Sequence, residues 1–165
     1  MKAWKIFFIS FFCIAPPALA LDLNQDGWKD LIVANYVEGD NYQLNSYIYW
    51  GNEQGSYAKK TLIPTKGARG ISAADLNQDG FTDILVSNYS DGKSRLIDSY
   101  IYWGDASFSF SKKTNLGTVS GYGQSVADLN QDGFLDIVFS NYSDGDQGAI
   151  DSFIYWGDKN FTYTQ

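Results

Sequence analysis

Three acidic segments are the residues of this chain best suited to chemistry. Each reads D-x-N-x-D-G-x-x-D, and they begin at Asp22, Asp75 and Asp128. Oxygen ligands at the first, third and fifth places can converge on one hard cation, and the glycine at the sixth place permits the sharp turn between them. Carboxylates packed this closely repel one another unless a dication lies among them. The spacing therefore predicts three calcium-binding loops.

In each loop we expect the cation to bind side-chain oxygens of the first, third, fifth and ninth residues and the backbone carbonyl of the seventh. The predicted ligands are Asp22, Asn24, Asp26, Trp28 and Asp30; Asp75, Asn77, Asp79, Phe81 and Asp83; and Asp128, Asn130, Asp132, Phe134 and Asp136. A metal-free Asp/Asn/Gly turn is the alternative, and the triple recurrence weighs against it. An EF-hand is excluded because Val33, Val86 and Phe139 occupy the twelfth position, which requires glutamate.

The composition excludes several classes of function. The chain of 165 residues has no histidine and one cysteine, so it offers no Ser-His-Asp or Cys-His relay and no imidazole-bound zinc. A formal net charge of -7 argues against nucleic acid, whose phosphates require a basic surface. The aspartates outside the loops show no paired spacing typical of a glycosidase. We therefore expect a protein that is not an enzyme and does not bind nucleic acid.

A repeat of 53 residues positions the three loops. The interval from 22 to 75 equals that from 75 to 128, and the segment S-[YF]-I-Y-W-G recurs with the same step at Ser46, Ser99 and Ser152. One period contains four short β-rich runs, which in the second unit are 70–74, 84–88, 99–103 and 108–114. No segment after the first twenty residues has helical periodicity. The pattern predicts an all-β, propeller-type array of about three four-stranded antiparallel blades, with the acidic loop between the first and second strands.

The acidic loop, repeated once per blade-sized unit, resembles the FG-GAP and VCBS-type repeats of the integrin-alpha N-terminal β-propeller superfamily. The resemblance covers residues 21–165 and implies a propeller fold with a calcium loop in each blade. Segments 71–74 and 125–127 lack the Phe-Gly and Gly-Ala-Pro signatures of the integrin form, so the VCBS form is the closer match. The resemblance implies a fold and a metal but leaves the ligand open.

The first twenty residues are typical of a secretory signal peptide. Lys2 and Lys5 precede an apolar stretch, and Ala18-Leu19-Ala20 is a small-x-small cleavage site. A membrane anchor is the alternative, but the apolar run is short and ends in Pro16-Pro17. We expect a leader over 1–20, a repeat domain over 21–165 with no membrane span, and a secreted, extracellular or periplasmic location.

Three units are fewer than a closed propeller needs. Removal of the leader would also take the strand expected before Asp22, which leaves eleven predicted strands. A longer protein with further blades, a homo-oligomer that closes the ring, and an open arc are the three possibilities.

The function that we expect is a secreted, calcium-binding, non-catalytic module for adhesion or ligand recognition, with an extracellular protein or glycan as partner. The alternative is a lectin-like carbohydrate-binding propeller, or the non-catalytic part of a polysaccharide-active enzyme, with Tyr49 or Tyr102 as a stacking platform. Because the Tyr47-Ile48-Tyr49-Trp50 motif recurs in every unit, we favour packing between blades for these rings. The variable segments 37–45, 91–98 and 144–151 are the better ligand candidates.

Overall fold

The computed structural model describes residues 18–144 and 150–165, and all regular elements in these ranges are β-strands. Twelve strands form three four-stranded antiparallel sheets in simple meander order. Their bounds are β1 Ala18–Leu21, β2 Asp30–Val33, β3 Asn45–Trp50, β4 Lys59–Pro64, β5 Ala68–Ala74, β6 Asp83–Asn88, β7 Leu96–Tyr102, β8 Lys113–Val119, β9 Gly121–Ala127, β10 Asp136–Asn141, β11 Phe153–Gly157 and β12 Tyr163–Thr164. The all-β prediction of three four-stranded blades is confirmed. Within the described ranges, no helix is long and apolar enough to cross a bilayer.

In the full chain the first blade has its own first strand, β1, whereas the predicted count of eleven strands refers to the chain after removal of the leader. Strand β1 pairs with β2 in antiparallel register, with Leu19 opposite Ile32 and Leu21 opposite Asp30. Leu19 and Leu21 alternate along β1 and both pack against the core, which explains why the segment is extended. Most of the predicted leader, residues 1–17, lies outside the described residues. The predicted cleavage site after Ala20 lies within β1.

The fourth strand of each blade starts later than predicted. In the second blade β8 covers Lys113–Val119 rather than 108–114. Phe108 and Phe110 both have a φ of 50°, in the left-handed region that a strand does not use. The aromatic residues before β8 therefore belong to a turn, although their composition is typical of a strand.

Two apolar cores lie between neighbouring blades. The first joins Ile48 and Trp50 of the first blade to Tyr100 and Tyr102 of the second. The second core joins Ile101 and Trp103 of the second blade to Phe153 and Tyr155 of the third, which are the equivalent positions one unit later. Each blade thus has an Ile/Trp face, formed by the isoleucine and tryptophan of its third strand, and a Tyr face, formed by the two intervening aromatic residues. The Ile/Trp face of one blade packs on the Tyr face of the next.

Hydrogen bonds connect the same two faces. The hydroxyl of Tyr155 donates to the carbonyl of Gly117 in the preceding blade at 2.6 Å. The hydroxyl of Tyr102 likewise donates to the carbonyl of Pro64 in the first blade. Tyr102 is buried, at 3% exposure, so it cannot serve as a sugar platform. The expectation that the repeated aromatic motif packs between blades is confirmed at this position.

The asparagine of each repeated N-Y pair fixes the end of a second strand. Asn88 is fully buried; its side-chain amide donates to the Asp98 carbonyl at 2.8 Å, and its side-chain oxygen accepts from the Lys66 amide at 2.9 Å. Asn88 therefore joins its own blade to the chain arriving from the blade before. This bond set fixes the position of the following tyrosine, Tyr89.

Candidate functional site

The three acidic loops connect the first and second strands of their blades, as predicted. All three share one backbone conformation: the residue at the fourth place has a φ of 59°, 57° or 61°, and the glycine at the sixth place has a φ of 93°, 91° or 93°. A Cβ at Gly80 would meet no atom within 4 Å. Glycine is therefore required there by the backbone conformation and not by lack of space.

Within each loop the first, third and fifth residues form one hydrogen-bonded turn. In the second loop the two oxygens of Asp75 accept from the amides of Asp79 at 3.1 Å and Gly80 at 2.9 Å. The Asn77 side chain donates to Asp79 at 2.9 Å, and the other Asp79 oxygen accepts from the Phe81 amide at 2.8 Å. The first and third loops repeat these bonds with their own residues. The structure thus brings three of the predicted ligands of each loop together.

The ninth residue of each loop has a role that the sequence interpretation missed. Asp83 is fully buried, and its two oxygens accept from the backbone amides of Leu76 and Gly104, each at 2.8 Å. Asp30 and Asp136 make the matching pairs of bonds. These aspartates attach the loop to the end of the third strand, so they support the blade as well as the predicted cation shell.

The glycine that ends the S-[YF]-I-Y-W-G segment makes this attachment possible. A Cβ on Gly104 would overlap the carbonyl oxygen of Thr82, and a Cβ on Gly51 would overlap that of Lys29. Only glycine lets the third strand approach the loop closely enough for its amide to reach the aspartate. The W-G pair that recurs in every unit is the sequence signal of this contact.

The electrostatics of the loops favour a bound cation. Burial raises the pKa of Asp83 to about 6; bonds from the Gly104 and Leu76 amides oppose that rise, while the charges of Asp79 and Asp75 add to it. Burial likewise raises the pKa of Asp30, with a further rise from the charge of Asp26. Neighbouring carboxylates thus contribute to the raised pKa of both groups, which is like-charge repulsion within the first and second loops.

The donor set is chemically suited to calcium. All the predicted ligands are carboxylate, amide or carbonyl oxygens, the type that hard dications prefer. In the conformation of the described residues, no group of three or more histidine, cysteine, aspartate or glutamate side chains is arranged to hold a metal. The fifteen ligand assignments, including the carbonyls of Trp28, Phe81 and Phe134, therefore stay a prediction.

Neighbouring loops are hydrogen-bonded to each other. The Gln78 side chain donates to the carbonyl of Gly133 at 2.8 Å, and Gln25 donates to Gly80 at 2.9 Å. The glutamine of D-L-N-Q-D-G recurs at the fourth place of each loop, which was the available signal. Its partner lies 55 residues away along the chain, so spacing alone could not reveal the bond.

Four-stranded meander blades, each with an oxygen-rich loop between its first two strands, define a class of β-propeller repeat. A family model for the FG-GAP-like repeat matches residues 22–86 and 75–139. These matches span more than half of the chain, so the chain belongs to the FG-GAP-like repeat family.

Comparison with individual proteins agrees with this assignment. The chain is 33% identical to integrin alpha-7 of Rattus norvegicus over 132 residues, which is 74% of this chain and 11% of the integrin. It is 29% identical to human integrin alpha-6 over 138 residues, covering 75% of this chain and 12% of that protein. It is also 30% identical over 148 residues to phosphatidylinositol-glycan-specific phospholipase D of Rattus norvegicus, covering 73% and 17% respectively. The matched region is thus a small part of each relative.

Proposed function

We propose that this chain is a secreted, non-catalytic β-propeller module that is stabilised by calcium and recognises an extracellular ligand. The observation that carries the proposal is the triple occurrence of one loop conformation that gathers carboxylate and amide oxygens. Membership of the FG-GAP-like family and similarity to integrin alpha chains support an adhesion-type role over catalysis. The absence of histidine from the sequence agrees with this choice.

Calcium would be held in each loop by the first, third, fifth and ninth side chains and the seventh carbonyl, as in Asp75, Asn77, Asp79, Asp83 and Phe81. When bound, the ion supplies positive charge that neutralises the carboxylates and crosslinks the loop. The protein supplies the turn that gathers the oxygens and the two amides that hold the ninth aspartate. Because the loop connects the first and second strands of the blade, we expect the loop and these two strands to become ordered together.

Thermal unfolding in calcium and in a chelator tests this proposal. A ligand that binds only the folded state stabilises it by about 2.7 kcal/mol per site at about 100 times Kd, so we expect a large rise in Tm with calcium. Asp79→Asn should lose part of that rise, whereas Asp40→Asn, in an exposed loop, should keep it. Equal Tm values in calcium and chelator would overturn the calcium proposal.

Secretion is tested separately by expressing the chain with its own first twenty residues and determining the N-terminus of the exported protein. We expect export and a mature chain that begins at Leu21. Retention of the uncleaved chain in the cell would contradict this. The position of the cut also decides how much of β1 the first blade keeps.

A further inference from the structure

Both arginines of the chain meet at one tyrosine ring. Arg69 and Arg95 are its only arginines, and their guanidinium carbons lie 5.0 and 5.1 Å from the ring centre of Tyr89. This distance is within the range of cation–π contacts. In a chain whose net charge is -7, two cations on the same ring form a local positive site. An anion beside Tyr89 would be attracted by both positive charges.

Neither guanidinium is neutralised by a carboxylate of the described residues. Arg69 also lies 3.7 Å from the ring centre of Tyr36 and 5.1 Å from that of Tyr122, so it contacts residues of all three blades. Its Nε is buried with no hydrogen-bond partner. Among the residues that the structure describes, no carboxylate pairs with either arginine side chain. Of the two acidic residues nearest to Arg95 in sequence, Asp98 accepts from the Asn115 side chain at 3.0 Å, and Asp91 accepts from backbone amides of its own loop. A ligand could therefore meet the terminal nitrogens of Arg69 and the guanidinium of Arg95, while the buried Arg69 Nε stays out of its reach.

The site lies at the end of the blades opposite the acidic loops. Arg69 stands at the start of β5, whose other end leads into the second acidic loop, and Tyr89 directly follows β6, which begins at the end of that loop. Antiparallel pairing places both residues at the same end of the second blade. Ligand binding there would not compete with calcium for the same atoms.

Comparison of the repeat units shows that the two arginines are not part of the repeated pattern. Arg69 occupies the position that Tyr122 holds one period later, and Arg95 the position that Tyr42 holds one period earlier. By contrast, the tyrosine of the N-Y pair is present in every unit. Packing of the blades thus accepts tyrosine at both variable positions. The two positive charges are not required by the fold, which points to a role outside it.

Beside the arginines lies an exposed aromatic surface. Tyr122 and Tyr142 are 47% and 55% exposed, and their rings are stacked with centres 5.6 Å apart and planes 29° from parallel. Tyr142 also contacts the ring of Tyr89. A stacked pair of exposed rings next to guanidinium groups matches a ligand that has both a ring face and a carboxylate. An extended acidic peptide would use the charge but leave the stacked rings uncovered.

We propose that this Tyr–Arg cluster, formed by Tyr36, Arg69, Tyr89, Arg95, Tyr122 and Tyr142, binds glycans that contain uronic acid. The sugar carboxylate pairs with Arg69 and Arg95, and a sugar ring lies on Tyr122 and Tyr142. The inference rests on the proposed recognition function and names its ligand class. Its failure would leave the calcium effect on Tm unchanged, so the two proposals fail separately.

Calorimetric titration of the full chain with a short oligogalacturonate, at fixed calcium, tests the inference. The fully methyl-esterified oligomer is the matched ligand control because it keeps the rings and loses the charge. We expect binding of the acid that weakens with salt, and no binding of the ester. Arg69→Gln and Arg95→Gln should each weaken binding about tenfold or more, since each removes a charge-assisted hydrogen bond.

Lys29→Gln is the matched control variant, because Lys29 is an exposed cation within the first acidic loop, at the other end of the blades, and should not affect glycan binding. Arg69→Lys keeps the charge but loses the planar fork, so it should fall between wild type and Arg69→Gln. Unchanged near-ultraviolet circular dichroism and Tm would show that the variants are folded. Tyr142→Ala, at the most exposed ring, provides a second test of the stacking surface. We expect Tyr142→Ala also to bind the oligogalacturonate more weakly than wild type.

Four outcomes would overturn the inference. The first is no measurable binding of the oligogalacturonate, and the second is equal binding of the acid and the ester. The third is wild-type affinity in both glutamine variants. The fourth is tighter binding of polyglutamate than of the sugar, which would assign the cluster to acidic peptides instead.

Discussion

Gln25 in the first acidic loop donates a 2.9 Å hydrogen bond from its side-chain amide to the backbone carbonyl of Gly80 in the second. Gln78 makes the same bond to the third loop. Each loop therefore holds the next at the residue that turns its chain. We therefore expect that ordering one loop, by metal or otherwise, favours the ordered geometry of its neighbour.

Removing one link should lower stability by a small, measurable amount. Gln78→Ala deletes the donor to Gly133, and we expect a loss of about 0.5–1.5 kcal/mol in the free energy of unfolding. Gln131→Ala is the matched control: Gln131 has the same place in its loop, with a φ of 61°, but makes no such bond with the described residues. Urea unfolding of the two variants measures the difference. Equal losses would show that the bond contributes nothing.

The buried ninth aspartate should tolerate substitution poorly. Asp83→Asn replaces one acceptor with an NH2 group that faces the amide of Leu76 or Gly104, leaving a buried donor without a partner. We expect a loss of about 1–3 kcal/mol without calcium and a larger deficit with it. Glu53→Gln, an exposed charge removal, serves as the control and should be close to neutral. A neutral Asp83→Asn would contradict the role given to these amides.

The W-G junction predicts a contrast between two glycines. In Gly104→Ala the new methyl group overlaps the carbonyl oxygen of Thr82 and displaces the amide that Asp83 accepts from. In Gly117→Ala the new methyl group meets only the Tyr155 hydroxyl, at the ordinary contact distance of 3.5 Å. We expect Gly104→Ala to cost about 1–3 kcal/mol or more, and Gly117→Ala clearly less. Thermal unfolding of both variants is the measurement, and the reverse order would refute the close approach.

The stability of the protein at alkaline pH should depend on Tyr102, which forms a contact between two blades. Burial, with a smaller contribution from Tyr100, raises the pKa of Tyr102 above its usual value of 10.0. A raised folded-state pKa means that this contribution to stability is complete below about pH 10 and is lost as pH rises through the higher folded value. Tyr102→Phe should therefore make the alkaline loss of stability shallower, and should lower stability at neutral pH by about 1 kcal/mol through loss of the bond to Pro64.

Tyr122→Phe is the control for this prediction, since Tyr122 is 47% exposed. It should change neither the neutral stability nor its alkaline slope. Denaturant unfolding at several pH values gives both quantities. An unchanged alkaline slope in Tyr102→Phe would contradict the prediction.

The sequence predicted the features that repeat locally. The spacing of Asp75, Asn77 and Asp79 places the loop, and the alternation in the Tyr100–Trp103 segment predicts the two faces of the third strand correctly. These inferences need only neighbours in sequence, because strand and turn geometry fix which residues share a face.

Contacts between residues that lie far apart along the chain were not predictable from the spacing of the motifs. Asp83 bonds to Gly104, 21 residues away, and Gln78 to Gly133, 55 residues away. Arg69 likewise meets Tyr36 and Tyr122 only because three blades lie side by side. Strand β1 overlaps the predicted leader because its residues combine the composition of a leader with the alternation of a strand.

The two faces of a blade differ, and this has a genetic consequence. Because an Ile/Trp face always packs on a Tyr face, every boundary between blades uses the same pair of surfaces in the same direction. An in-frame duplication of any 53-residue unit would insert a blade whose two surfaces already fit both neighbours. Unequal crossing-over within the coding sequence can therefore lengthen or shorten such arrays without requiring a new interface. The Tyr–Arg cluster, in contrast, depends on substitutions private to single units, so copying a blade would multiply the scaffold but not the site.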